Sequence, residues 1–464
     1  MPDFIPYKFQ QSIIEEQKNK KAFGVFSEPG TGKTGTELTF INIMRQKTLI
    51  IAPLRILYSV WPKEIKKFGN FNNIKITILH GKDKEKNFLR NNVGVYLVNP
   101  EGLPWLMKTM IKHKRFPWKI LIIDESAKFK SPKAKTRFKL IKKIMNKFER
   151  RYILAGNPIP NTLLDLWTQI YILDHGVRLG KSFEAYKREY FYQADYQGFV
   201  WKPHDWAFEA IMKKVSDICV YIKADDHLDI PMMVFNDIEF DLPPDLLIQY
   251  KSMENKLFAD MDEGKVLASS AAIASQKCQQ LAQGFLYPSY SDIEKVKGIK
   301  KVTQLTHKIK IELLKELIEE LNGSPILIGY WYEQDLNYLK EAFPNEVFFD
   351  KTKSFAECAE LEDEWNMGNI PVLFGQASSI SHGLNLQEAG NHVAFYCNVW
   401  NYDVFDQLIR RVLRNGNEHK RVFVHRFIAN NTIDKAILLS NKAKGSMSKN
   451  FLESILEYRR MCNG

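Results

Sequence analysis

Residues 22–38 read AFGVFSEPGTGKTGTEL: an apolar run from Ala22 to Phe26, a glycine-rich turn, and a stretch able to continue as a helix. That succession of strand, loop and helix is the setting that a phosphate-cradling loop requires. Gly30 and Gly32 let the backbone curl so that successive N–H groups point inward, a path that bulky residues would obstruct. Lys33 brings positive charge to the β and γ phosphates, the Thr34 hydroxyl can ligate magnesium, and the following helix adds its N-terminal dipole. Ser27 stands where the pattern usually begins with glycine. The candidate ATP-binding loop is therefore Glu28, Pro29, Gly30, Thr31, Gly32, Lys33 and Thr34.

A phosphate loop needs an acidic partner at the end of a neighbouring strand. Residues 119–132, KILIIDESAKFKSP, supply one: apolar residues run straight into Asp124 and Glu125, which places both carboxylates at a strand's C-terminal edge, where ligands bind in such sheets. Asp124, with Thr34, is the candidate Mg2+ holder, and Glu125 the candidate base that orients and deprotonates an attacking water. Together with Lys33 these are candidate catalytic groups.

Outward from this core, short runs rich in Ile, Val and Leu alternate with helical or loop segments, the pattern of buried parallel strands linked by crossover helices. Strands are expected at Ala22–Phe26, Thr48–Ala52, Lys75–Leu79, Val93–Val98, Lys119–Ile123 and Tyr152–Ala155, and again at Pro325–Gly329, Val347–Phe349, Val372–Gly375, His392–Tyr396 and Val422–Phe427. Helices are expected at Ile311–Leu321 and Val404–Leu413. Between the two sets the chain is aromatic, charged and helical in places, with one extended piece, MVFNDIEFDLP. The fold class implied is α/β, with two RecA-like lobes built on parallel sheets and a mostly helical connector. The expected bounds are 1–165 for the first lobe, 166–300 for the connector, 301–440 for the second lobe and 441–464 for a helical tail.

With 464 residues the chain is long enough for more than one core. Five scattered cysteines form no metal-binding pair, and no signal peptide or membrane-length apolar run is present, so a cytoplasmic protein with reduced thiols is expected. Net charge is +12, and between Lys108 and Arg151 sixteen Lys or Arg face only three acidic residues, which suits a polyanion partner.

Further motifs follow in an order that resembles superfamily 2 helicase-like ATPases, and within them the Swi/Snf-like branch of double-stranded DNA translocases. DESAKFKS is similar to that branch's D-E-x-H-x-x-K-N box, with Ala127 at the histidine position. FQQ (9–11) resembles the adenine-reading motif, with Gln10 as the reader and Gln11 as the alternative. Residues 49–68, LIIAPLRILYSVWPKEIKKF, resemble the segment carrying Pro53, Trp61, Glu64 and Phe68, and LVNPEGL (97–103) occupies the next strand-end motif. LAGNPIPNTLLDLW (154–167) resembles L-T-G-T-P-I-x-N-x-x-x-E-L-W, with Ala155 and Asn157 replacing threonines. In the second lobe ILIGYWYEQDLNYL (326–339) resembles the opening strand and helix. ASSISHGLNLQEAG (377–390) keeps Gly383, Leu384, Asn385 and Leu386, with Ile380 and Ser381 at glycine positions. DQLIRRVLRNGN (406–417) matches Gln407, Arg411, Arg414 and Gly416, with Asn417 for the last glutamine.

The resemblance implies a nucleic-acid-dependent ATP hydrolase in which Arg411 and Arg414, three apart on a helix and hence on one face, act as arginine fingers. It assigns Gly383 and Asn385 to the nucleotide, and Pro53, Arg55, Lys128, Lys130, Asn157 and Ser379 to nucleic acid, most simply double-stranded DNA, with single-stranded DNA or RNA possible. A compact, monomeric bacterial or phage motor is the implied setting. A strand-unwinding helicase and a nucleic-acid-binding scaffold with a weakened ATPase are the alternatives; the sequence shows no hairpin suited to splitting strands.

Overall fold

Ile, Val, Leu and aromatic residues are buried on both sides of each central strand, which is what a parallel sheet sandwiched by helices demands. The computed structural model describes residues 1–129, 137–159, 162–194, 201–262, 268–288, 303–350, 353–381 and 383–447. It divides into two units, one of Met1–Ile230 with the residues from Lys444, the other of Pro231–Ala443.

In the first unit the strands are β1 (Ala22–Ser27), β2 (Thr48–Ile51), β3 (Ile76–Ile78), β4 (Val95–Val98), β5 (Ile120–Ile123) and β6 (Arg150–Ala155), then the small antiparallel pair β7 (Phe191–Gln193) and β8 (Trp201–Pro203), and finally β9 (Cys219–Ile222). Seven of them form one parallel sheet in the order β3-β4-β2-β5-β6-β1-β9. Alternate residues feed opposite cores: Phe26, Ile51, Ile123 and Ile153 on one face, Val25, Ile50, Ile122 and Tyr152 on the other. Every strand expected from sequence in this half is present, with ends moved by one or two residues.

The second unit holds β10 (Met232–Phe240), the short pair β11 (Phe285–Leu286) and β12 (Gln304–Leu305), then β13 (Ile326–Tyr330), β14 (Val347–Phe349), β15 (Val372–Gln376), β16 (His392–Phe395) and β17 (Arg421–Ala429). Six make a parallel sheet in the order β10-β17-β16-β13-β15-β14, again with a core on each face. The fold is thus two parallel-sheet α/β bodies. The stretch 166–300 contributes to both: β9 extends the first sheet, and β10, the extended piece read from MVFNDIEFDLP, extends the second. Helices Leu166–Asp174, Phe183–Tyr190, Ala207–Val215, Pro244–Asp262 and Ala268–Gln283 lie in the same stretch.

One expectation is refined. The strand that ends in Asp124 and Glu125 is not adjacent to the strand entering the phosphate loop; β6 lies between β5 and β1. Buried apolar runs announce strands, while strand order depends on how the crossovers wind.

Candidate functional site

All strands of the first sheet are parallel, so the ends of β1, β6 and β5 emerge at one edge, each handing over to a loop. After β1 the chain curls through Gly30 (φ 89°) and Gly32 (φ 73°), and helix Lys33–Met44 starts from Gly32 in the left-handed region. A Cβ at position 32 would in addition lie 2.5 Å from Gln10 Nε2, so that amide would have to shift. Lys33 Nζ donates to the carbonyls of Ser27 (2.5 Å) and Glu28 (3.2 Å), which holds the ammonium within the curl. Thr31 Oγ1 donates to Glu28 O at 2.8 Å and shares a short hydrogen bond with the buried Ser27 hydroxyl, so serine in place of glycine closes the loop rather than disturbing it. The Glu28 carboxylate accepts from Ala224 N at 2.8 Å, beyond the end of β9.

Gln10, on helix Lys8–Asn19, is buried under this loop: its Nε2 donates to Thr31 O at 2.8 Å and its Oε1 accepts from Tyr7 N at 2.8 Å. Gln11 instead donates to Pro6 O on the exposed side.

Asp124 is buried beside the loop, and its Oδ2 accepts from Trp61 Nε1 at 3.2 Å. Burial and the adjoining Glu125 carboxylate push it up to about 7, against the pull of Lys33 and of the Trp61 bond. The Lys33 contribution brings the phosphate-loop cation and the strand-end carboxylate into one electrostatic site. Glu125, partly exposed, adopts φ 57°, the left-handed region that a side chain other than glycine rarely enters. Ala127 is buried in the turn Ser126–Phe129 that follows. Thr34, in the first turn of helix Lys33–Met44, and Asp124 together offer the oxygen donors that suit Mg2+.

Three groups that the sequence reading did not single out for roles at this edge complete it. Trp61 is one. Glu37, one turn along from Lys33, is fully buried, receives Gln17 Nε2 at 2.7 Å, and is pushed up to about 8 by burial, with the Asp124 charge adding to it. Gln169, on helix Leu166–Asp174, bridges two loops: its Oε1 accepts from Ser126 Oγ at 2.7 Å and its Nε2 donates to Pro158 O at 2.6 Å. The only signal in the sequence for the last two is a polar residue set inside an apolar helical run, TELTFI and LWTQIYIL.

Of the positions assigned to nucleic acid, Pro53, Arg55, Lys128 and Asn157 lie at the same edge. Pro53 caps and Arg55 opens helix Leu54–Lys67, which follows β2, and Lys128 lies in the turn after Glu125. Asn157, after β6, accepts from Ile159 N at 3.1 Å through Oδ1, while its Nδ2 is buried with no hydrogen-bond partner among the described residues. Lys130 lies outside the described residues.

In the second unit Ser379 sits on the short helix Ala377–Ile380 after β15, its hydroxyl 3.3 Å from Gln376 Oε1. Ile380, at a glycine position of the motif, is fully buried over Gly375, where a Cβ would meet it at 2.5 Å, so the absence of a side chain at 375 makes room for it. Gly383 (φ 70°) begins the loop through Asn385. Both arginines converge on that loop. Arg411, buried, donates to Leu384 O (3.0 Å) and Gln407 O (3.0 Å), and Arg414 makes a short hydrogen bond to Asn385 Oδ1. Arg410 is turned to Asp406 at 2.8 Å. The expected helix through Leu413 ends at Val412, so Arg414 reaches the loop from beyond the helix rather than from its face.

The SNF2-related domain family matches residues 12–197 and the helicase conserved C-terminal domain family matches residues 309–416. The chain is 30% identical to protein p41 of Acyrthosiphon pisum secondary endosymbiont phage 1, covering 98% of this chain and 99% of that one. It is 23% identical to the ISWI chromatin-remodeling complex ATPase ISW2 of Saccharomyces cerevisiae (92% of this chain, 38% of that one). To an uncharacterized ATP-dependent helicase of Mycoplasma pneumoniae it is 24% identical (96% and 42%), so it spans less than half the length of these two larger relatives. The Sulfolobus solfataricus SWI2/SNF2 ATPase core in complex with dsDNA is 20% identical, with 98% of this chain and 94% of that chain covered and a TM-score of 0.44. Among the described residues no helix is long and apolar enough to cross a membrane. With both family domains matched in order and a full-length relative at this identity, the chain belongs to the SNF2-related family of helicase-like, nucleic-acid-dependent ATPases.

Proposed function

We propose that this protein is an ATP-driven translocase on double-stranded DNA, working as a monomeric motor in the cytoplasm of a bacterial or phage-infected cell. The observation that carries the reading is the gathering at one sheet edge of the Lys33 loop, the buried Asp124 and the Glu125 turn, with the loops bearing Arg55, Lys128 and Asn157 along the same edge. Lys33 exchanges its carbonyl partners for the β and γ phosphates. Thr34 and Asp124 would hold Mg2+, which would supply charge neutralisation when bound. Glu125 orients the attacking water, and Arg411 and Arg414 supply positive charge for the γ-phosphate. The basic stretch from Lys108 to Arg151 supports a phosphate-backbone partner held without reading sequence. A relative that belongs to a chromatin-remodeling complex favours duplex DNA.

The test is ATP turnover with duplex DNA, single-stranded DNA and RNA compared side by side, with triplex displacement as the readout of movement. Duplex DNA should stimulate most, and Lys33→Ala should abolish both signals; a Lys33→Ala protein with intact DNA-stimulated turnover would overturn the reading.

Strand separation is the second reading, and one observation favours it. The β7–β8 pair is a hairpin that the sequence did not reveal, flanked by the exposed rings of Tyr192 and Trp206, with His204 stacked on Trp206 at 5.6 Å. Aromatic faces of this kind suit unpaired bases. Stronger stimulation by forked or single-stranded DNA than by duplex would select it.

A further inference from the structure

Glu125 holds a conformation that costs free energy: φ 57° on a residue with a Cβ persists only where the surroundings over-determine it. Two constraints meet at this turn. The Glu125 carbonyl accepts from Lys128 N at 2.9 Å, which closes the turn behind it. The next residue, Ser126, is fully buried, and its hydroxyl is fixed on Gln169 Oε1.

Gln169 is fully buried, and each polar atom of its amide is used: Oε1 receives Ser126, and Nε2 gives one hydrogen to Pro158 O and the other to Asp165 O at 2.9 Å. This leaves a single sensible orientation of the amide. The amide cannot rotate without breaking its bonds to the buried Pro158 carbonyl and the buried Ser126 hydroxyl, so it acts as a rigid post on helix Leu166–Asp174 from which the turn after β5 hangs. The same post carries the segment after β6, so the Glu125 turn and the Asn157–Ile159 loop share one anchor.

We infer that Gln169 is a positioning residue for ATP hydrolysis: through Ser126 it holds Glu125 in its left-handed conformation and so sets where that carboxylate points. This rests on the reading of Glu125 as the water-orienting group.

The experiment measures steady-state turnover at saturating duplex DNA and the equilibrium affinity for a non-hydrolysable ATP analogue, in Ser126→Ala, Gln169→Met and the double variant. Misplacing a reacting group typically costs one to two orders of magnitude, so kcat should fall about 10- to 100-fold in each single variant. The double variant should lose no more than either single one, because both cut the same link. Affinity for the analogue should stay within about twofold, since the Lys33 loop is untouched by this link. A purely structural role would instead lower the melting temperature and weaken analogue binding in step with turnover, and that result would overturn the inference. So would normal turnover in Ser126→Ala, which removes a single hydroxyl and remains testable if Gln169→Met does not fold. Glu125→Gln separates the two claims: if it turns over normally, the reading of the site fails; if it is inactive while Ser126→Ala is normal, only the role of Gln169 fails.

Discussion

The Trp61 indole donates to the Asp124 carboxylate across the base of the site, and both residues are buried. An ionised carboxylate is costly there, and the indole N–H and Lys33 are what offset the cost. Trp61→Phe keeps the ring and removes the donor. The Mg2+ concentration giving half-maximal ATP turnover should rise several-fold, and the protein should lose about 1–2 kcal/mol of stability. A Mg2+ titration of turnover, with denaturant unfolding alongside, checks both; an unchanged Mg2+ midpoint would separate Trp61 from the metal site.

Glu37 predicts a pH dependence of stability. Its folded value of about 8 lies above the ordinary 4.5, so between those values the folded state keeps a proton that the unfolded chain has released. Stability is therefore lost as pH rises from about 5 towards 8, by at most roughly 1.4 kcal/mol per pH unit from this one group. The contacts agree with a neutral carboxyl: among the described residues Glu37 Oε2 and Gln17 Oε1 are both buried acceptors with no hydrogen-bond donor, and a carboxyl proton can satisfy the pair. Glu37→Gln mimics that neutral form. Relative to wild type it should gain stability steadily from pH 5 to pH 8, read from urea midpoints; parallel curves would refute the assignment.

Arg411 and Arg414 should separate by phenotype. Arg411 is buried and satisfies two backbone carbonyls, so Arg411→Ala should lower stability by about 1–3 kcal/mol along with activity. Arg414 is more accessible and holds a side chain, so Arg414→Ala should leave the melting temperature within a few degrees while turnover falls about 10³-fold or more. Thermal melts and single-turnover hydrolysis on both variants decide this.

Salt dependence tests the nucleic-acid edge. Each cation that neutralises a phosphate contributes about 0.9 to the slope of log affinity against log salt, so Arg55→Ala with Lys128→Ala should reduce the slope by about two. Fluorescence anisotropy with labelled duplexes over a range of salt provides the measurement; an unchanged slope would remove both residues from the contact surface.

Much of the site was legible because its chemistry is local. SEPGTGKT and IIDES each carry their own turn and ligand in a few residues next to a strand, so the sequence places Lys33 at the start of the helix after β1 and Asp124 at the end of β5 without further help. What hid was whatever depends on pairing between distant segments. Trp61 and Asp124 are 63 residues apart, Ser126 and Gln169 are 43 apart, and no periodicity reports that one will find the other. Ile380 reads as a defect in a glycine motif until Gly375, on the strand before it, is seen to make room. The hairpin β7–β8 was missed because three-residue strands leave no alternation to detect.

By itself, then, the sequence determined that two parallel sheets form, that a phosphate loop with a carboxylate strand end belongs to the first, and that the motifs follow one family's order. Apolar runs and left-handed glycines are properties of single segments, and they survive in any arrangement of the chain. The tertiary structure alone decided that β6 separates β1 from β5, that burial and the Glu125 charge push Asp124 up to about 7, and that Glu125 is held in the left-handed region beside a turn hung from Gln169. These depend on the order in which crossovers wind and on which buried polar groups meet, and both are settled only when the whole core closes around them.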